Sequence, residues 1–97
     1  MEVIKKTEDG KLTLTVKGSI DTITAPQLEG EIKTDGLKEL VIDLTEVTYV
    51  SSAGLRVFLM AHKNMLKAGG RMTIAQPQPA VKNVFDLTGF SKILTIV

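Results

Sequence analysis

The sequence predicts a single α/β domain with the element order β-β-α-β-α-β-α-β and a mixed, mainly parallel sheet on which the helices pack. The length of 97 residues suits one domain over residues 1–97 and leaves no room for a second. Along the chain, the apolar residues change repeatedly between the two-residue period of strands and the longer period of helices. Strands and helices that alternate in this way form βαβ units, whose two strands lie parallel.

The chain opens with two strand-like runs, residues 3–7 and 12–16, joined at the turn pair Asp9 and Gly10. This spacing predicts an antiparallel hairpin. The second run alternates apolar and polar residues, so one of its faces is expected to be buried. Gly18 breaks the alternation and is expected to end the strand.

A short helix is predicted from Thr24 to about Lys33. Thr24 is expected to cap its start, with Gln27 reaching back to form a capping box. Leu28 and Ile32 lie one helical turn apart and are expected to face the core.

Residues 40–44 form a short apolar run, typical of a strand covered on both faces, and are placed at the centre of the sheet. The longest helix is predicted over residues 51–67. The spacing of its apolar residues predicts a stripe that faces the core. This stripe contains Leu55, Phe58, Leu59 and Leu66.

The last part of the chain predicts one more strand, helix and strand. Residues 71–75 form the first strand, and residues 92–97 form the last. A helix between them begins after Pro77 and Pro79 and is closed by Gly89. Its core-facing residues are expected to be Val81, Val84, Phe85 and Leu87.

The composition argues against several kinds of site. The chain has no cysteine and one histidine, so we expect no metal site and no other cofactor. The formal net charge is +1, and the basic residues are spread without aromatic partners, which argues against nucleic-acid binding. The first residues are charged and no apolar run approaches the length of a membrane span, so we expect a cytoplasmic protein without membrane insertion.

The motifs of common enzymes are absent as well. There is no cysteine nucleophile, no G-x-S-x-G elbow and no glycine-rich phosphate loop. We therefore predict that the protein is not an enzyme, with no catalytic residues and no small-molecule substrate.

One segment carries candidate chemistry. Residues 49–55 follow a predicted strand and deliver the hydroxyls of Ser51 and Ser52 to the start of the longest helix. The free backbone N–H groups and the dipole at a helix start favour negative charge, so a phosphate on serine is accommodated there without loss of the helix. From the spacing alone, the favoured interpretation is that these serines only cap the helix.

Several pieces of the sequence occur together in one order. They are the loop of residues 18–21 (GSID), the strand of residues 42–44 (IDL), residues 49–55 (YVSSAGL), the Gly69-Gly70 pair and residues 84–90 (VFDLTGF). In these pieces the chain resembles the STAS domains, and within them the anti-sigma-factor antagonists of bacterial partner-switching systems. The third piece is similar to that family's signature of aromatic, aliphatic, Asp, Ser, Ser/Thr, Gly and Leu.

The resemblance implies that Ser52 is phosphorylated by a serine kinase that is also the anti-sigma factor. Unphosphorylated, the protein would bind that kinase and free a sigma factor; a serine phosphatase is the further partner of such a cycle. The family's loop aspartate, which lies near the modified serine, falls on Asp21. The chain departs from the signature at two positions: Ser51 replaces the Asp, and Ala53 replaces the second Ser or Thr. Ser51 is therefore the alternative site of phosphorylation.

A partner surface is predicted on the long helix beside its core stripe, where Val57, Met60, Ala61 and Asn64 form a second, partly apolar face. The alternative is that Val57 and Ala61 pack against the neighbouring helix, which leaves Met60 and Asn64 exposed. The residues expected near the phosphorylation site or the partner are Asp21, Thr22, Ser51, Ala53, Gly54, Arg56, Val57, Met60 and Asn64.

Two other function classes remain. One is a STAS subunit, regulatory or structural, of a transporter or signalling complex, which is not phosphorylated and uses Ser51 and Ser52 as caps only. The other is an enzyme, which has the least support because one histidine and no phosphate loop leave little from which to build an active site.

Overall fold

The computed structural model describes residues 1–97, and its elements follow the predicted order. The strands are β1 (Glu2–Glu8), β2 (Lys11–Ile20), β3 (Glu39–Val50), β4 (Arg71–Ala75) and β5 (Thr95–Ile96). The helices are α1 (Ala25–Glu31), α2 (Ser52–Lys67) and α3 (Pro79–Thr88), and a 3₁₀ turn covers Phe90–Lys92.

The five strands form one sheet in the order β1-β2-β3-β4-β5. β1 pairs antiparallel with β2, and the other three pairs are parallel, which confirms the predicted mixed, mainly parallel sheet. Because the sheet order follows the chain order and parallel crossovers are right-handed, each helix returns over the same face of the sheet. A single cluster of 21 buried apolar residues joins that face to the helices.

β3 lies at the centre of the sheet, as predicted, but only one of its faces is buried. Leu40 and Ile42 are fully buried, whereas Val41 between them is only partly buried. In the register of the sheet, Ile42 lies between Leu14 and Ile74, so the buried side chains of neighbouring strands form continuous rows. The prediction that this strand is covered on both faces is wrong, because the helices pack on one side.

The predicted hairpin between β1 and β2 is confirmed. Asp9 and Gly10 both have positive φ, at 43° and 82°, as the favoured two-residue hairpin turn requires. Gly18 does not end β2, in contrast to the prediction. Its φ is 104°, and β2 continues past it to Ile20. Gly18 pairs with Val47 and Ser19 with Tyr49, so the extra residue of this β-bulge is Thr48 in β3.

The core face of α2 differs from the prediction at two positions. Leu59 is only partly buried and does not belong to the core cluster. Leu55 and Phe58 are buried, but Leu66 is 58% exposed and Met65 occupies the core instead. Successive residues are about 100° apart around an α-helix, so a difference of one residue moves a side chain from the core to solvent.

α3 packs on α2 through Phe85, whose ring centroid lies 5.9 Å from that of Phe58. Val81 is also buried, whereas Leu87 is 79% exposed and the prediction that it faces the core is wrong. Gly89 ends the helix as predicted, since its φ of 81° provides the left-handed conformation of a helix C-terminus.

The last strand is shorter than predicted. The 3₁₀ turn takes up the first predicted strand residue, and only Thr95 and Ile96 pair with β4. Leu94, between the turn and the strand, is buried in the core. The packing of Leu94 therefore fixes the chain against the core at the position just before the two residues that pair with β4.

Candidate functional site

The candidate site lies where the neighbouring parallel strands β2 and β3 end. Ile20, the last residue of β2, pairs with Val50, the last residue of β3. The Ser51 N–H donates to the Ile20 carbonyl at 2.8 Å and extends this pairing beyond the strands. Asp21 and Ser51, the first residues after the two strands, are therefore neighbours at the carboxyl edge of the sheet, the usual place for sites in α/β sheets.

Asp21 organises the loop between β2 and α1. Its Oδ1 accepts hydrogen bonds from the N–H groups of Ile23 and Thr24, both at 2.9 Å, which is the pattern of an Asx turn. The Thr24 hydroxyl accepts the Asp21 N–H at 2.8 Å and donates to the Ser19 carbonyl at 2.9 Å. The predicted capping box with Gln27 is wrong, because this hydroxyl is used within the loop and no side chain caps α1.

The same hydrogen bonds set the charge of the loop. The Thr24 N–H holds the pKa of the Asp21 carboxyl below its ordinary value. Desolvation opposes this effect in part, while the Ile23 N–H and the Thr24 hydroxyl lower the pKa further. Asp21 is therefore ionised at neutral pH, and its carboxylate is held by the loop that it organises.

Ser51 and Ser52 have different positions at the start of α2. Ser51 is the N-cap: its backbone is extended and its Oγ accepts the Gly54 N–H at 3.4 Å. Ser52 is the first residue of the helix, and its side chain is exposed. The Ser51 hydroxyl thus belongs to the helix cap. The Ser52 hydroxyl faces solvent beside backbone N–H groups that have no partner within the helix.

Gly54 holds the start of α2 close to the sheet. A Cβ atom at this position would lie 2.7 Å from Ile20 Cγ2 and 2.9 Å from Val50 Cγ1, much closer than van der Waals contact. Both neighbours are buried branched side chains at the ends of β2 and β3. The absence of a side chain at Gly54 therefore fixes where Ser51 and Ser52 stand relative to the loop of Asp21.

A groove between α1 and α2, called the α1–α2 groove below, opens beside these serines. Val57 and Ala61 are buried at its base, which confirms the interpretation that they pack against the neighbouring helix. Met60, 46% exposed, and Asn64 remain accessible at its rim. The remaining lining is formed by Ala25, Pro26, Glu29 and Ile32 on the α1 side and by Ala53 and Arg56 on the α2 side.

The predicted site residues thus occupy one continuous region. Thr22 is exposed in the loop next to Asp21, and the other predicted residues lie at the start of α2 or along the groove. The sequence did not indicate Glu29 as part of this surface, and Ile32, expected to face the core, packs against the core cluster and also lines the groove. Which face of a short helix meets its neighbour depends on tertiary packing. The sequence of α1 alone therefore did not indicate which of its residues line the groove.

Two structural findings concern other kinds of site. No group of three or more His, Asp or Glu side chains is arranged to hold a metal ion. None of the helices combines the length and the apolar character needed to cross a membrane.

Together these features define a class of protein: a small α/β domain, with its helices on one face of a mixed sheet, that presents a serine hydroxyl beside a shallow groove. The STAS domain model matches residues 2–97. The chain belongs to the STAS domain family, which confirms the resemblance seen in its motifs.

The relatives agree with this assignment over nearly the whole chain. BtrV of Bordetella bronchiseptica is 34% identical over 91 residues, which cover 91% of this chain and 78% of BtrV. The anti-sigma-B factor antagonist of Listeria monocytogenes is 33% identical over 96 residues, which cover 96% of this chain and 84% of the relative. The crystal structure of an anti-sigma factor antagonist from Mycobacterium paratuberculosis is 31% identical, with a TM-score of 0.85 over 98% of this chain and 83% of that one.

Proposed function

We propose that this protein is an anti-sigma factor antagonist that binds its partner when Ser52 is unmodified and releases it when Ser52 is phosphorylated. Relatives named anti-sigma factor antagonists, similar over nearly the whole chain, support the first part. The partner is an anti-sigma factor that also acts as the serine kinase, and a serine phosphatase restores the binding form. The protein acts by binding, not by catalysis, and works in the cytoplasm.

One observation supports the phosphorylation part of the proposal: the Ser52 side chain is exposed at the first position of α2. A kinase can reach this hydroxyl without opening the core. The phosphate adds about −1.5 to −2 charge at the positive end of the helix dipole, where negative charge is favourable. Modification therefore changes the surface and leaves the fold in place.

The geometry favours Ser52 over Ser51 as the modified residue. The Ser51 hydroxyl caps α2 through its bond with the Gly54 N–H, and its side chain is only partly exposed. A kinase that modified Ser51 would have to take this hydroxyl out of its bond with the Gly54 N–H, and a cap of this kind stabilises a helix by about 1 kcal/mol. Phosphorylation of Ser52 leaves the cap in place.

Mass spectrometry of the protein isolated from its native cells tests this proposal. We expect a phosphate on the peptide that contains both serines, and fragmentation should place it on Ser52. The matched control is the same analysis after Ser52→Ala, which should remove the phosphate without moving it to Ser51. A wild-type peptide that stays unmodified through growth and stress would refute the phosphorylation switch.

A second candidate function is supported by the residue at position 51, which is not the Asp of the STAS signature. Ser51 stands where the STAS signature has Asp, and it forms a helix cap that does not depend on phosphorylation. The protein would then be a STAS regulatory or structural subunit whose contacts are constitutive. Under that function, substitutions at Ser52 would leave partner binding unchanged.

The α1–α2 groove is the surface that we propose for the anti-sigma factor. It begins at Ala53, next to Ser52, and its rim carries the accessible side chain of Met60. An unbranched thioether adapts to the shape of a partner, and its burial is favourable. A phosphate on Ser52 would stand at one end of this contact and would have to lose its hydration when the partner binds.

Met60→Asp is expected to weaken binding to the anti-sigma factor by about tenfold, because it places a charge in a contact that buries apolar surface. Leu66→Asp is the matched control: it adds the same charge at another exposed apolar position of α2, outside the groove. Isothermal titration calorimetry with the purified anti-sigma factor measures both. Equal weakening by the two variants would contradict the assignment of the groove.

A further inference from the structure

Arg56 lies one helical turn after Ser52 and has no ion-pair partner. The salt bridges of the structure join Lys5 to Glu31, Lys6 to Glu8, Lys17 to Glu46 and Lys82 to Asp86. Arg56 is exposed, and it is the only charged residue in the first eight positions of α2, residues 52–59. Its guanidinium is therefore available to a new anion near the start of this helix.

The helix geometry directs Arg56 toward Ser52. Residues four apart on an α-helix are neighbours, with Cβ atoms about 5–6 Å apart. Long side chains in a helix lean toward its N-terminus, so the side chain of residue i+4 extends over residue i. The guanidinium of Arg56 can therefore reach an oxygen attached to Ser52 without a change in the backbone.

We propose that Arg56 binds the phosphate on Ser52 within the same chain. This inference rests on the proposed phosphorylation of Ser52 and concerns which side chain of the same chain binds the phosphate. A guanidinium offers two parallel N–H groups that match two phosphate oxygens. The carboxylate of Asp21, fixed in the adjacent loop, adds a second negative charge near the start of α2, and Arg56 offsets part of the repulsion.

The pairing also changes the α1–α2 groove. In the unmodified protein Arg56 is part of the groove lining, together with Glu29 from α1. Once its guanidinium binds the phosphate, the groove loses its cation while Glu29 remains. Phosphorylation thus acts on the partner surface twice, through the charge placed on Ser52 and through the removal of Arg56 from the groove.

Phosphorus NMR on the full chain tests the pairing. Phosphoserine is incorporated at position 52 during translation, so that no natural kinase is needed, and the phosphate resonance is followed through a pH titration. A neighbouring cation favours the dianion, so the second phosphate pKa in the wild-type sequence should lie below the ordinary value of about 6. Arg56→Gln is expected to raise this pKa by about 0.15–0.35 unit, since helical i,i+4 pairs contribute about 0.2–0.5 kcal/mol and a pKa unit corresponds to about 1.4 kcal/mol.

Two further variants make the test specific. Arg56→Lys keeps the charge but loses the fork geometry, so its phosphate pKa should lie between those of the wild type and Arg56→Gln. Lys63→Gln removes the same charge from another exposed position of α2 and should leave the phosphate pKa within about 0.1 unit of the wild type, because exposed charges more than a Debye length apart are largely screened.

The inference is overturned if Arg56→Gln leaves the pKa unchanged, or if Lys63→Gln raises it by the same amount. Unchanged thermal unfolding of the unphosphorylated variants shows that each of them folds. The NMR result does not depend on whether Ser52 is phosphorylated in cells, because phosphoserine is incorporated during translation. Native protein without phosphate on Ser52 would refute the cellular switch, but it would not change the pKa comparison between the variants.

Discussion

Ser52→Asp is expected to weaken binding to the anti-sigma factor by about a hundredfold or more, which corresponds to about 2.7 kcal/mol, while the domain stays folded. The carboxylate occupies the first position of α2, where the helix dipole favours negative charge by about 0.3–1 kcal/mol, so stability should not fall. In the complex, the same carboxylate loses its hydration at the end of the α1–α2 groove without gaining a partner.

Ser52→Asn and Ser52→Ala are the matched controls for this substitution. Asn has the size of Asp without its charge, and Ala removes the hydroxyl, so both should bind within about threefold of the wild type if charge is the determinant. Calorimetry gives the affinities, and thermal unfolding verifies the fold. Loss of binding in Ser52→Asn equal to that in Ser52→Asp would show that side-chain size, not charge, controls the contact.

Gly54→Ala is expected to destabilise the domain by about 2 kcal/mol, although alanine is the better helix former. The added methyl group would lie within 3 Å of the Ile20 and Val50 side chains, which are buried and branched and have no free space to move into. Relief of this contact requires α2 to move away from the sheet edge. The substitution should therefore also displace Ser52 from the loop of Asp21.

Gly30→Ala provides the opposite control within the same fold. Gly30 lies in α1, and a Cβ atom there meets nothing within 4 Å. Alanine at this position should stabilise the domain by about 0.5–1 kcal/mol, because it restricts the unfolded chain and suits a helix. Urea unfolding followed by circular dichroism measures both variants. A Gly54→Ala protein as stable as the wild type would contradict the close packing described for this glycine.

The sheet was largely predictable because strand periodicity reports burial directly. Leu12, Leu14 and Val16 alternate with polar residues, and all three are buried as predicted. Gly18 was misinterpreted because a glycine can end a strand or continue it opposite a bulge, as it does here opposite the extra residue Thr48 of β3. Which of the two occurs depends on the pairing with β3, and the sequence of β2 does not contain that information.

The helices were predicted well in extent and less well in rotation. Leu66 and Leu87 are apolar and close to the core stripes of their helices, yet both are exposed. The rotation of a helix is set by how its side chains fit those of its neighbours, as in the contact between Phe58 and Phe85. A list of apolar positions does not specify this fit.

The candidate site was predictable in part. The spacing of residues 49–55 placed two serines at the start of a helix, and the structure assigns the cap to Ser51. The roles of the two hydroxyls could not be separated from the sequence, because the two serines are adjacent and either one can serve as the N-cap. The α1 side of the groove, with Glu29, depends on how two helices pack and appears only in three dimensions.

The pairing of Ile20 with Val50 bears on the order in which the molecule folds. The β1–β2 hairpin joins residues that are close in sequence and can form early, whereas β2 and β3 meet only after the intervening chain, including α1, has closed as a loop. The surroundings of Ser52 are therefore expected to form later than the hairpin. A kinase that acts on Ser52 as proposed would meet a folded domain and not a nascent chain, and a phosphate on this serine would also report that folding has finished.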